Sequence, residues 1–305
     1  MSASPGRPPL VADIRRNALD DGPGIRSTVF FKGCPLRCVW CQNPETLAVQ
    51  PELQHEPGLC IGCGECASRC PHGATVIVEQ VRRHDRERCR VCGTCVESCP
   101  PAALRVVGQR YTVDELAGLL LSDEPFYRAS GGGVTFSGGE PTLGLGYVTR
   151  LARTLRSAGV HLLLETCGHY DGERFERELL PLLDVIYFDV KLADPVEHRR
   201  HTGLDNDRIL QNLESLARSD ARGRVLPRVP LVPGITDREA NLRAIGRLLR
   251  ELGFTQVALL PYNPLWVEKR AALGLPLTYR ETKWLAPKKI KYCEDFMVSV
   301  GLTVR

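Results

Sequence analysis

Phe31 to Asn43 reads FKGCPLRCVWCQN and follows the apolar run STVFF directly, so Cys34, Cys38 and Cys41 stand in a C-x3-C-x2-C spacing at the end of a candidate strand. Structural zinc sites and ordinary iron–sulfur clusters are closed by four protein ligands, so three thiolates in one loop leave a coordination position for something else. An open position on a metal is where chemistry takes place. Two plainer readings fit the spacing alone: a zinc knuckle whose fourth ligand lies elsewhere, and reduced cysteines without metal.

Around this loop the chain has 305 residues, which suits one α/β barrel of about 200 to 250 residues carrying an insertion. A net charge of +4 with 25% charged residues and no lysine or arginine run argues against a nucleic-acid footprint, leaving a protein or small-molecule partner. No stretch reaches about 18 apolar residues, and the opening MSASPGRPPLVADIRR lacks the apolar core of a signal peptide, so no membrane span is expected and the location is read as cytoplasmic. The 13 cysteines fall in three tight groups with Cys167 and Cys293 left over, a metal-binding pattern that implies a reducing compartment. Iron exposed at an open site is oxygen-labile, which implies an anaerobic setting.

From Pro51 two copies of one pattern follow: Cys60, Cys63, Cys66 and Cys70 before Pro71, then Cys89, Cys92, Cys95 and Cys99 before Pro100. Each is C-x2-C-x2-C-x3-C-P, the bacterial ferredoxin run in which the fourth cysteine serves the other cluster. The spacing therefore predicts one [4Fe-4S] cluster on Cys60, Cys63, Cys66 and Cys99 and another on Cys70, Cys89, Cys92 and Cys95. Paired zinc sites are the alternative. The apolar runs ATVIV and ALRVV that follow the two copies are expected to pair with each other as strands of a small ferredoxin-like insertion.

From Tyr111 apolar strands alternate with amphipathic helices, beginning at Thr112 and Glu115, which are spaced as a capping box. Strands are predicted at 27–31, 134–136, 161–165, 185–190, 225–229 and 257–260, with helices around 145–158, 172–182, 206–218, 237–252 and 279–300. This alternation implies a parallel sheet. The fold expected is α/β, a partial (β/α)6 barrel interrupted by a two-cluster insertion: 1–50 as arm, first strand and cysteine loop, 51–109 as insertion, and 110–305 as the remainder. Asp21-Gly22-Pro23-Gly24 reads as a tight turn whose glycines permit close backbone approach.

In such folds ligands bind beyond the carboxyl ends of the strands. There the second strand runs into Gly138-Gly139-Glu140, offering backbone approach and a carboxylate for an ammonium, and the fourth ends at Asp189-Val190-Lys191, two charges on one strand face. A plain turn and a rim ion pair are the alternatives. Glu165, His198, His201, Arg228 and Asn263 are uninformative alone, and the two histidines are left outside the site.

The cysteine loop, with aromatic Trp40 before its third cysteine, resembles the signature of radical S-adenosylmethionine (SAM) enzymes. With DGPGIRSTVFFKGCPLRCVWCQNPET, SGGGVTFSGGEP, DVK, HTG and VPGITD in order, the chain is similar to glycyl radical enzyme activating enzymes, in particular the subgroup carrying a two-cluster ferredoxin insertion. That resemblance implies three [4Fe-4S] clusters and SAM. Cys34, Cys38 and Cys41 would hold the catalytic cluster, and Trp40, Gln42, Gly138, Gly139, Glu140, Asp189, Val190, Lys191 and Asn263 would contact SAM. It implies a glycyl radical enzyme as protein substrate and a low-potential donor such as flavodoxin or ferredoxin. A radical SAM enzyme acting on a small molecule or RNA base, and a ferredoxin-like electron carrier, are the competing readings.

Overall fold

Strands form where β-branched and aromatic residues run unbroken between turn residues. In the computed structural model of the chain, which describes residues 7–79 and 81–305, the first two are β1 (Leu10–Ala18) and β2 (Arg26–Phe31), paired antiparallel. The DGPG turn joins them. A Cβ on Gly24 (φ +67°) would lie 2.4 Å from the amide nitrogen of Gly132, so the expected close approach is real.

Next come β3 (Glu52–His55), α1 (Glu65–Ser68), β4 (Thr75–Val78), β5 (Val81–His84), α2 (Thr94–Glu97), β6 (Leu104–Val107) and β7 (Gln109–Arg110). The two apolar runs here do not pair with each other as expected. β4 pairs with its sequence neighbour β5, and β6 pairs with β3, whose ELQH carries no strand-like apolar pattern. For β4 the sequence neighbour wins because closing a short loop costs least entropy, and β6 is left to β3.

The rest of the chain forms α3 (Val113–Leu121), α4 (Glu124–Ser130), β8 (Gly133–Gly138), α5 (Leu145–Ser157), β9 (His161–Thr166), α6 (Gly172–Glu178), β10 (Val185–Asp189), α7 (Pro195–Thr202) and α8 (Asp207–Arg218). β11 (Val225–Leu231), α9 (Glu239–Glu251), β12 (Gln256–Pro261), α10 (Trp266–Ala272), α11 (Pro287–Ser299) and β13 (Thr303–Val304) complete it. The capping box is present: Glu115 N–H donates to Thr112 Oγ1 at 3.2 Å and Thr112 N–H to Glu115 Oε2 at 2.7 Å. Two helices are shorter than expected, those at 172–182 and 279–300. Pro181 stops α6 early, and α11 starts at Pro287, where a missing N–H costs nothing.

The main sheet has the order β13-β12-β11-β10-β9-β8-β2-β1-β7, and β2, β8, β9, β10, β11 and β12 run parallel. These are the six expected strands. Leu151 and Leu155 of α5, Leu213 of α8 and Ile245 and Leu249 of α9 are fully buried with Phe136, Leu162, Leu164, Ile186 and Phe188 from the strands. Each such side chain contributes about 1.5–3 kcal/mol. The core thus fixes the strands, and the strands fix what projects from their carboxyl ends.

Candidate functional site

β2 ends at buried Phe31, and Gly33 (φ +104°) turns the chain into the cysteine loop. Gly33 N–H donates to Thr46 O, and Gly33 O accepts from Glu140 N–H, both at 2.7 Å. From the other side Arg37 N–H donates to Thr202 O at 2.7 Å and Val39 N–H to His201 O at 3.0 Å. The HTG segment at the end of α7 therefore clamps the loop. Leu36, Cys38 and Trp40 are buried, and the Trp40 ring lies 6.5 Å from that of His201.

Over the carboxyl ends of the parallel strands lies a cavity of about 1290 Å³. Cys34, Cys38 and Cys41 form one wall with Trp40 and Gln42, and Ser137, Gly138 and Gly139 of the β8 end form the next. Glu165 and Cys167 from β9, Asp189 and Lys191 from β10, Arg228 from β11 and Asn263 beyond β12 complete it, with Asp20 and Asp21 also lining it. Gln42 Nε2 donates to Asn263 O at 3.1 Å, joining the loop to the last strand.

One ionic network crosses the strand ends. Lys191 Nζ donates to Asp189 Oδ2 at 2.8 Å, Arg228 Nε to Asp189 Oδ1 at 3.0 Å and Arg228 to Glu165 Oε1 at 2.5 Å, while Ser137 Oγ donates to Glu165 Oε2 at 2.5 Å. Burial opposes ionisation of Asp189, and the two cations outweigh it, holding the carboxyl below its usual range. For Lys191, burial is outweighed by Asp189 and the nearby sulfurs, and the ammonium is held above its usual value. Arg228 is the residue sequence reasoning missed, because its partners lie 39 and 63 residues away.

Two expected ligand contacts are corrected. Glu140 is 1% exposed and turned away from the cavity: its carboxylate accepts from Thr142 N–H (3.2 Å), Thr142 Oγ1 (2.7 Å), Thr166 Oγ1 (2.9 Å) and Cys167 N–H (2.8 Å). No lone pair is left for an ammonium. Val190 is buried in the core and only its neighbours Asp189 and Lys191 line the cavity, as alternation along the chain requires. Gly138 and Gly139 do line it, and a Cβ on Gly139 would fall 2.1 Å from Gly33 O, so glycine is needed there for packing on the cysteine loop.

His198 is structural, as expected: Nδ1 sits 2.7 Å from Leu204 O. Cys293 is fully buried in α11, whereas Cys167 lines the cavity beside Cys34, whose proximity together with burial pushes the Cys167 thiol up. Burial pushes the Cys38 thiol up to about 12 and the Cys41 thiol up as well. Two of the three clustered thiols, Cys38 and Cys41, thus resist ionisation when bare, which fits a bound cationic centre that supplies the missing positive charge.

Among the described residues no three Cys, His, Asp or Glu side chains converge as they do around a single ion. The sulfurs of the 51–109 segment ring cavities instead. One of about 350 Å³ is lined by Cys70, Cys89, Cys92 and Cys95, and another of about 440 Å³ by Cys60, Cys63, Cys66 and Cys99. The lining of each groups the cysteines as the spacing does, first three of one motif with the fourth of the other.

Residues 28–243 match the sequence model of the radical SAM superfamily. The chain is 39% identical to the trans-4-hydroxy-L-proline dehydratase activating enzyme of Clostridioides difficile, over 86% of each chain. It is 37% identical to the choline trimethylamine-lyase activating enzyme of Oleidesulfovibrio alaskensis, over 96% of this chain and 98% of that one. Identity to the benzylsuccinate synthase activating enzyme of Thauera aromatica is 40%, over 79% of this chain and 74% of that one. Among solved structures, Streptococcus suis SuiB bound to precursor peptide SuiA superposes on 89% of this chain and 46% of its own with a TM-score of 0.50 at 11% identity, a likeness of fold alone.

Proposed function

The chain belongs to the radical SAM superfamily and, within it, to the activating enzymes of glycyl radical enzymes, and on that premise we propose the roles of its residues. It is an activase that generates a glycyl radical on a partner enzyme, working with SAM and a [4Fe-4S] cluster. Cys34, Cys38 and Cys41 hold that cluster and leave one iron open to SAM. Bound there, such a cluster would supply the single electron that cleaves SAM to methionine and a 5'-deoxyadenosyl radical, the species that would take the Cα hydrogen atom from one glycine of the partner.

The protein's part is positioning. Lys191 pairs with the SAM carboxylate, Asp189 accepts from the ribose, and Trp40 and Gln42 flank the adenine side with Asn263. Gly138 and Gly139 let main chain approach the methionine end. The observation that carries this reading is that one cavity brings the three cysteines against Asp189, Lys191 and the glycine pair at the strand ends.

The sheet is a partial (β/α)6 barrel, with 1–50 and 110–305 as the radical SAM unit and 51–109 as a ferredoxin-like insertion holding two further [4Fe-4S] clusters. We assign the insertion to electron relay from a low-potential donor such as flavodoxin or ferredoxin. All 13 cysteines are free thiols, which supports a reducing, cytoplasmic and anaerobic setting, and among the described residues no helix is long and apolar enough to cross a membrane.

The test is anaerobic reconstitution with SAM, reductant and a partner enzyme, reading 5'-deoxyadenosine and the glycyl radical by electron paramagnetic resonance (EPR). Deoxyadenosine release indifferent to a glycine-bearing partner would sink the assignment. For the relay, Cys66→Ala and Cys95→Ala are expected to lose activation with the biological donor and keep it with a strong chemical reductant.

A further inference from the structure

The two cavities of the insertion differ in depth and in the donors they face. Glu52, at the start of β3, accepts from Lys32 Nζ at the end of β2 (2.9 Å) and from Arg86 (2.5 Å). β3 then runs outward at about 3.3 Å per residue. Leu53 lines the cavity of Cys70, Cys89, Cys92 and Cys95, and His55 with Leu104 lines that of Cys60, Cys63, Cys66 and Cys99. The former is proximal to the main sheet and the latter distal.

At the proximal cavity the sulfurs accept from main chain: Ala74 N–H donates to Cys70 Sγ at 3.3 Å and Val91 N–H to Cys89 Sγ at 3.4 Å. The imidazole there, His84, is taken up by Thr75 Oγ1 at 3.1 Å. The distal cavity is lined by Arg82 and His55, and Arg82 Nε and His55 Nε2 are enclosed with no hydrogen-bond partner. An enclosed guanidinium nitrogen without an acceptor costs free energy in a bare protein. Bridging sulfides and thiolates are acceptors, so a cluster in this cavity relieves that cost. Arg82 is anchored for the purpose, its other arm donating to Thr75 Oγ1 at 3.3 Å.

We propose that Arg82 and His55 are tuning residues of the distal cluster, donating side-chain hydrogen bonds to its sulfurs and thereby raising its reduction potential. This rests on reading the insertion as a two-cluster module. Hydrogen bonds to sulfur and nearby positive charge both favour the reduced, more negative state. Arg82 supplies both, and His55 supplies the first through its unpartnered Nε2. The distal cluster then receives the electron from the external donor, and the proximal cluster passes it inward.

The experiment is an EPR-monitored redox titration of the anaerobically reconstituted full chain, comparing wild type with Arg82→Gln and His55→Phe. Arg82→Gln is expected to shift the oxidised-to-reduced ratio of one auxiliary cluster about tenfold toward oxidised at fixed potential, about 59 mV for a one-electron couple. His55→Phe, which removes no charge and stands in where Arg82→Gln fails to take up iron, is expected to shift the same cluster the same way by a smaller factor. The other cluster moves less than half as much in either variant. Unmoved ratios at full iron content, or equal movement of both clusters, overturn the tuning role. A wild-type chain that binds iron for only one cluster overturns the two-cluster reading itself and the inference with it.

Discussion

Replacing Glu140 by glutamine keeps its shape and removes its charge, which separates a structural carboxylate from one that grips a ligand. Four donors converge on it: the amides of Thr142 and Cys167 and the hydroxyls of Thr142 and Thr166. A glutamine oxygen satisfies one amide and one hydroxyl. The glutamine NH2 faces the other pair, where the hydroxyl turns to accept but the main-chain N–H cannot. One buried N–H is thus stranded at about 1–3 kcal/mol. At about 2–4 °C per kcal/mol for a chain of this order, Glu140→Gln lowers the melting temperature by about 2–12 °C. Glu140→Ala strands both amides, about 2–6 kcal/mol, a large share of the about 5–15 kcal/mol that holds a protein folded. Thermal melting under anaerobic conditions reads the loss, and calorimetric SAM binding below the transition reads the site. SAM affinity is expected to stay within about twofold of wild type, less than 0.5 kcal/mol. A variant that melts like wild type and binds SAM tenfold more weakly refutes the argument.

Iron analysis of the reconstituted chain is expected to give about 12 iron, and Cys34→Ala about eight with no SAM cleavage; about four iron with bound zinc in the wild type would contradict this. Lys191→Met removes a charge-assisted bond worth about 1.5–3 kcal/mol, weakening SAM binding about 10- to 150-fold at unchanged iron content; unchanged affinity rules out its contact with SAM. Arg228→Gln leaves Asp189 and Glu165 facing one another with no guanidinium between them, at a cost of about 3–5 kcal/mol in thermal or chemical unfolding. Asp189 then has Lys191 alone to set against burial, its pKa rises from its depressed position, and the variant loses less stability than the wild type as pH falls through the carboxylate range. The wild type, with Asp189 held low, shows the larger loss.

The six parallel strands were legible because Val, Ile and Phe runs bounded by glycine or charge need no distant information. Which cysteines line each cavity of the 51–109 segment was legible for a related reason: spacing along the chain decides which sulfurs one loop can bring together. β1 was not legible as a strand. Its LVADIRRNA alternates imperfectly, and Asn17 takes φ +57° at an irregularity in its pairing with β2. Glu140 was misjudged because a motif gives the residue type at a strand end but not the direction of its side chain, which depends on Thr166 and Cys167 on the next strand. Arg228 and the HTG clamp act across distances in sequence that no local pattern encodes. Arg82 and His55 sit between the cysteine motifs, yet only the assembled cavity reveals that their nitrogens lack acceptors.

β3 and β6 meet at Leu53 and Val106, residues that face each other across an antiparallel pair, where Cα atoms lie about 4.5–5.5 Å apart. The exit and return of the 51–109 segment are therefore one doorway, and a two-residue turn is enough to close it. Host and guest share that doorway, the contact of Arg86 with Leu273 O, and the carboxylate of Glu52, which neutralises the fully enclosed Lys32 of the host. A chain spliced from Leu53 to Val106 keeps this pair and loses all eight ferredoxin-type cysteines. An insertion whose two ends lie side by side on one strand pair is free to change in length and content without moving the parallel strands of its host.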